Sequence, residues 1–208
     1  MNRRRLIMGS AFGLAGTLLL AACHDAWKPD PQDVDIRGHF PDLSFTMTDA
    51  ASGKTVTAAD YRGKIVLLYF GYTNCPDVCP LTLYEMTKIL KSLGAEAADV
   101  RFLFVTVDPV RDTQAVLAHY IALYHSPNII GLRGSTEQLQ ALASRFHADF
   151  AVHPSAIPAD YTVTHTAAAY VFNRHGKAQF ICAGLSSTAP DLAGITRDLH
   201  HLIATDRI

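Results

Sequence analysis

Two cysteines four residues apart, Cys75 and Cys79, stand in the segment Gly71-Tyr72-Thr73-Asn74-Cys75-Pro76-Asp77-Val78-Cys79-Pro80. Thiolates are nucleophiles and soft-metal ligands. The pair therefore points to metal binding, to thiol–disulfide exchange, or to both, at an exposed dithiol. Pro80 suits the first turn of a helix. A helix N-terminus favours thiolate over thiol through its unpaired N–H groups and aligned peptide dipoles. At helical spacing, residues i and i+4 hold their Cβ atoms about 5–6 Å apart, whereas a disulfide needs about 3.5–4.5 Å. A metal ion between two sulfurs tolerates the wider gap, so metal-bound and disulfide states compete. Two thiolates suit Cu(I); two thiolates and one imidazole leave zinc short of its usual four ligands. The bland alternative, two inert buried cysteines or a static bridge, fits poorly with so many turn residues directly after an apolar run.

Spacing alone does not single out a third ligand among the ten histidines. His165, His153 and His24 are the ones near interesting sequence, with His24 read as exposed tether. Asp108, in Thr106-Val107-Asp108-Pro109-Val110-Arg111-Asp112-Thr113, follows a second apolar run. It is placed either to orient a ligand or bind a partner, or simply to form the turn before Pro109. Arg111 and Asp112 are expected to pair, and Asp112 or Thr113 to cap the next helix. Tyr72 is expected to pack over the dithiol and limit solvent, or to serve as a core tyrosine. Cys182 reads as a partly buried thiol.

The elements that must position these groups are legible as periodicity. Residues 65–70 and 101–107 are continuous apolar runs, as buried central strands are. Helical patterns cover 81–93, with Leu81, Tyr84, Ile89 and Leu93 facing inward, and 113–124, with Ala115, Leu117, Tyr120 and Ile121 inward. A short strand is expected at 129–132. Ser135 and Gln138 form a capping-box pattern for a helix to about 146. Residues 148–163 lack periodicity and read as a long loop. Strands at 168–172 and 178–183 flank the turn 173–176, and a helix closes the domain at 192–202. A low-contrast hairpin is expected from 40–47 and 54–56. Alternating strands and helices argue for an α/β fold with a mixed sheet edge. At 208 residues and 49% hydrophobic content, one domain with a sizeable core is expected. The formal net charge is −1, and no basic patch suggests nucleic acid.

The chain starts Met1-Asn2-Arg3-Arg4-Arg5, then runs apolar over 6–22 to Leu20-Ala21-Ala22-Cys23. This is an export-signal layout. The end of the run resembles the bacterial lipoprotein box, and the arginines resemble a twin-arginine start. The expected organisation is a signal at 1–22, a lipid on Cys23, a polar tether at 23–37, and a domain at 38–208. The domain would be held to a membrane by lipid and face the periplasm or cell exterior.

Taken together, the cysteine segment, the 106–113 motif, Gly131-Leu132-Arg133-Gly134-Ser135 and Asp160-Tyr161-Thr162-Val163-Thr164-His165-Thr166 resemble the Sco/SenC family of thioredoxin-like copper-binding proteins, in the family's order and over roughly residues 38–205. The resemblance implies a thioredoxin-like fold, a central mixed sheet flanked by helices with an N-terminal hairpin extension. It implies a copper site, Cu(I) and also Cu(II), made by Cys75, Cys79 and His165, whose affinity falls as the imidazole protonates. It implies a role in building the dinuclear copper centre of cytochrome c oxidase, or in keeping that centre's cysteines reduced. The implied partners are the oxidase subunit carrying that centre, other periplasmic copper chaperones and a thiol reductant. The chain departs from the family in having Thr164 and Thr166, where an acidic residue and a serine often flank the histidine.

Overall fold

A computed structural model describes residues 27–157 and 160–206. The leader, Cys23 and His24 lie outside the described residues. Ten strands and four helices follow one another: β1 (Val34–Asp35), β2 (Thr46–Asp49), β3 (Thr55–Thr57), β4 (Ile65–Gly71), α1 (Val78–Leu93), β5 (Val100–Thr106), α2 (Gln114–Ala122), β6 (Ile129–Arg133), α3 (Thr136–Arg145), β7 (Phe150–His153), β8 (Thr162–His165), β9 (Ala169–Phe172), β10 (Ala178–Cys182) and α4 (Leu192–Thr205). Eight strands form one sheet in the order β1-β10-β9-β4-β5-β6-β2-β3. β4, β5 and β6 are parallel; β9 runs antiparallel to β4. The continuous apolar runs of β4 and β5 put them at the centre, where both faces are covered. Every residue of β4 is buried.

The expected 40–47/54–56 hairpin exists as β2–β3, and β2 extends the main sheet by pairing with β6. α1 turns its Leu83, Met86, Ile89, Leu90 and Leu93 inward, while Tyr84, expected inside, is exposed. On α2, Leu117 and Ile121 are buried but Ala115 is not. Thr113 caps α2, and Ser135 with Gln138 makes the expected reciprocal cap of α3.

Two expectations are corrected. Residues 148–163 are not a plain loop: β7 lies within them and pairs antiparallel with β8, forming a two-stranded sheet apart from the main one. Residues 27–37, expected as tether, are folded against the domain. β1 pairs with β10, Ile36 is buried, and the Asp30 amide donates to Asp198 Oδ2 at 2.6 Å. The Trp27 ring stacks on His201 with centroids 4.5 Å apart, and Arg37 lies over the same ring at 5.1 Å. Polar sequence hid this packing because only a few residues in the stretch are apolar. Among the described residues no helix is long and apolar enough to cross a membrane.

Candidate metal centre

The site lies past the carboxyl ends of β4 and β5, where α/β sheets leave their crevice. β4 ends at Gly71, and the chain turns through 72–77 before α1 begins at Val78. Cys75 therefore precedes the helix, and only Cys79 sits in its first turn. The helical i,i+4 geometry expected of the pair does not hold, and a tight turn replaces it: the Cys75 amide donates to the Tyr72 carbonyl at 3.2 Å.

The dithiol is not exposed, as expected, but covered: Cys79 is 0% and Cys75 9% accessible. Both are free thiols. Burial raises the Cys79 thiol well above its ordinary range, and the neighbouring Cys75 thiolate adds to that. Cys75 is pulled far down, first by the Cys79 thiol donating to it, then by the Asp77 and Cys79 backbone N–H groups, against a burial effect of opposite sign. The two thiols are thus unequal, Cys75 the more readily ionised and Cys79 the one that holds its proton harder.

His165 closes the site from the other side. It ends β8, opposite Phe150 of β7. Its Nε2 lies 3.3 Å from Cys79 Sγ and 4.0 Å from Cys75 Sγ. Its Nδ1 is 3.3 Å from the Thr166 carbonyl oxygen, which can only accept. A proton on Nδ1 leaves the Nε2 lone pair facing the sulfurs, as a metal ligand requires. The two sulfurs and the imidazole nitrogen lie within 4.8 Å of one another, the one such cluster of three among the described residues. Two soft sulfurs and a borderline nitrogen, with no carboxylate among them, fit a soft monovalent ion better than a hard divalent one.

The buried Tyr72 ring meets that of His165 edge-on at 5.8 Å. Tyr69, read from sequence only as strand core, is a contact that reasoning missed. Its hydroxyl is 3.8 Å from Cys79 Sγ and accepts from Thr82 Oγ1 at 3.4 Å, and its ring packs edge-on to His165 at 5.9 Å. The available signal was a tyrosine one position before the last residue of a fully apolar run. Asp108 makes no contact with the three donor atoms. It pairs instead with Arg111 and accepts from the Tyr161 hydroxyl, which also corrects the expected Arg111–Asp112 pair. His153 bonds Thr164 Oγ1 at 2.9 Å, and strand alternation puts it on the hairpin face opposite His165. Cys182 is fully buried and donates to Asp33.

A family model for SCO1/SenC matches residues 38–200. The mitochondrial SCO2 homologue of Bos taurus is 40% identical over 126 residues, which cover 60% of this chain and 47% of that protein. The chain thus spans about half the length of that relative. A SCO2-like protein of Rickettsia felis is 30% identical over 175 residues, covering 83% of this chain and 84% of its own. Among solved structures, copper-bound ScoI of Bradyrhizobium japonicum is 32% identical with a TM-score of 0.67, covering 77% of this chain and 98% of that one. Apo Sco1 of Thermus thermophilus is 30% identical with a TM-score of 0.69, covering 81% of this chain and 95% of that one.

Proposed function

From the chain's membership of the SCO1/SenC family, we propose that it is a copper chaperone that holds Cu(I) as cargo on Cys75, Cys79 and His165 and passes it to the copper-site subunit of cytochrome c oxidase. The observation that carries this is the convergence of two sulfurs and the Nε2 lone pair within 4.8 Å, joined by copper-bound relatives of the same fold. Loading needs both sulfurs reduced. Binding displaces the thiol protons, and the Cys79 proton, held by burial, is the harder to remove. Three donors leave room for an incoming thiolate, so cargo leaves by ligand exchange without a bond first breaking. Export, a lipid on Cys23 and a periplasmic or exterior domain complete this reading, supported by the order of charges, apolar run and cysteine in residues 1–23.

The test is Cu(I) competition binding to the reduced protein, for the parent and for Cys75→Ser, Cys79→Ser and His165→Ala. Each variant is expected to lose at least tenfold in affinity, about 1.4 kcal/mol. Full affinity in His165→Ala removes that residue from the ligand set, and parental oxidase loading in cells by the same variant sinks the chaperone reading.

A second reading draws on the unequal thiols. The Cys75 thiolate attacks a partner disulfide and releases one partner sulfur as a thiolate, which takes up the Cys79 proton. Cys79 loses its proton and attacks Cys75, releasing the second. The partner gains two electrons, Cys75–Cys79 becomes a disulfide, and a thiol reductant restores it. His165→Ala separates the readings, because it spares both sulfurs.

A further inference from the structure

The 106–113 motif is a sequence signal the ligand set leaves without a role. Its turn, residues 108–112 between β5 and α2, reaches in two directions. Toward the cysteine loop, the fully buried Asp112 accepts from the Thr73 amide at 3.1 Å and from Thr73 Oγ1 at 2.5 Å. Thr73 stands two residues before Cys75. Toward the histidine strand, Arg111 Nη1 donates to the Tyr161 carbonyl at 2.8 Å. The guanidinium lies over the Tyr161 ring at 3.6 Å, and the Tyr161 hydroxyl donates to Asp108 Oδ1 at 2.6 Å. Arg111 also lies 5.8 Å from the Tyr72 ring, the ring that meets His165. The turn itself is braced: the Asp112 amide donates to the Asp108 carbonyl, and Arg133 donates to the Pro109 carbonyl.

The Asp108–Arg111 pair is largely out of water, with side chains 2% and 18% exposed. Desolvation offsets most of what such a pair contributes to stability, so its value lies in fixing geometry. β8 needs that. It pairs only with β7, outside the main sheet, and β7 is mostly exposed.

We propose that the 108–112 turn is the spacing device of the metal centre: Asp112 fixes the cysteine loop, while Asp108 and Arg111 fix the strand carrying His165. These are positioning residues acting through Thr73 and Tyr161. The copper arm of the test rests on the proposed function; the first arm does not.

That first arm is amide hydrogen exchange on the reduced, metal-free protein. Arg111→Gln is expected to speed exchange across β7–β8 at least tenfold and leave β4 and β5 unchanged. Arg111→Lys keeps the charge without the planar stack and falls between. The second arm is Cu(I) affinity of Arg111→Gln, His165→Ala and the double variant. Arg111→Gln alone is expected to lose about 10–100-fold, as supporting groups around metal ligands do. In the His165→Ala background it adds less than about twofold, because the two act as one unit. Unchanged β7–β8 exchange overturns the device, whatever copper does. Equal losses with and without His165 also overturn it, since they show general destabilisation. A parent that binds no Cu(I) defeats the proposed function and leaves the exchange arm to decide this one.

Discussion

Gly71→Ala tests how tightly the central sheet is fitted to the thiols. A Cβ at this position falls 2.6 and 2.8 Å from two ring carbons of Phe104 and 3.0 Å from Cys79 Sγ. Comfortable carbon contacts begin near 3.5 Å, so something must move. The backbone cannot, because Gly71 is in register with Thr106 on β5 and its carbonyl accepts from the Val107 amide at 2.8 Å. The Phe104 ring is held against the rings of Tyr69 and Tyr120, so part of the strain falls on the smaller Cys79 side chain. Overpacking of this kind costs about 1–3 kcal/mol. At about 2–4 °C per kcal/mol for a domain of this size, Tm falls by about 2–12 °C. The displaced sulfur moves relative to His165 Nε2, now 3.3 Å away, and Cu(I) affinity falls about tenfold. Adding Phe104→Leu relieves the ring clash but not the sulfur contact, so it restores part of the Tm and none of the affinity. The assays are thermal unfolding and Cu(I) competition on the same preparations. An alanine variant that melts within about 1 °C of the parent and binds copper equally would falsify the claim that Gly71 is required by the close approach of Phe104 and Cys79.

Other expectations are more local. Asp33 is raised to about 7, first by burial and then by Asp198 and Asp30. Its folded value lies above its unfolded one, so its contribution is fully present below about pH 4 and is lost as pH rises through about 7. Three units correspond to about 4 kcal/mol, halved to about 2 kcal/mol for the part of the side chain that water reaches. Denaturant titrations from pH 4 to 8 should show that fall in the parent and not in Asp33→Asn; equal slopes refute it. Ser135→Ala removes the acceptor of the Gln138 amide and should cost about 1 kcal/mol, read as a lower denaturation midpoint with copper affinity unchanged. Tyr69→Phe removes the hydroxyl facing Cys79. It should leave the fold intact and shift the reduction potential of the cysteine pair; an unchanged potential removes Tyr69 from the chemistry.

The central sheet was readable because β4 and β5 are continuous apolar runs, a signal that survives without neighbours. The cysteine pair was readable from residue type and spacing. Its burial was not, because the cover comes from Tyr69, Tyr72 and His165, brought together only by folding. β7 was missed for a related reason: its four residues are partly or fully exposed, so no apolar alternation marks it, and its partner β8 buries Val163 alone. The third ligand, 86 residues beyond Cys79, left no trace in local pattern and came from the family resemblance. Residues 27–37 defeated the reading because their attachment is polar, through Asp30, Arg37 and Asp198.

The way Trp27 is seated would set the direction in which a chain lipidated at Cys23 points. β9 begins beside Tyr69 and ends beside Val66, so the turn after it lies at the foot of the sheet, away from the sulfurs. Trp27, against His201 and Phe180, is at that foot. Cys23 precedes it by four residues, a span of at most about 14 Å. A lipid carried there would hold the foot of the sheet close to the bilayer, like a lamp on a short stem. The seven residues of β4 would then lift the metal mouth by about 20 Å and turn it outward. An acceptor embedded in the same membrane would have to present its own site at that height, or the stem would have to let go of Trp27 before the two could meet.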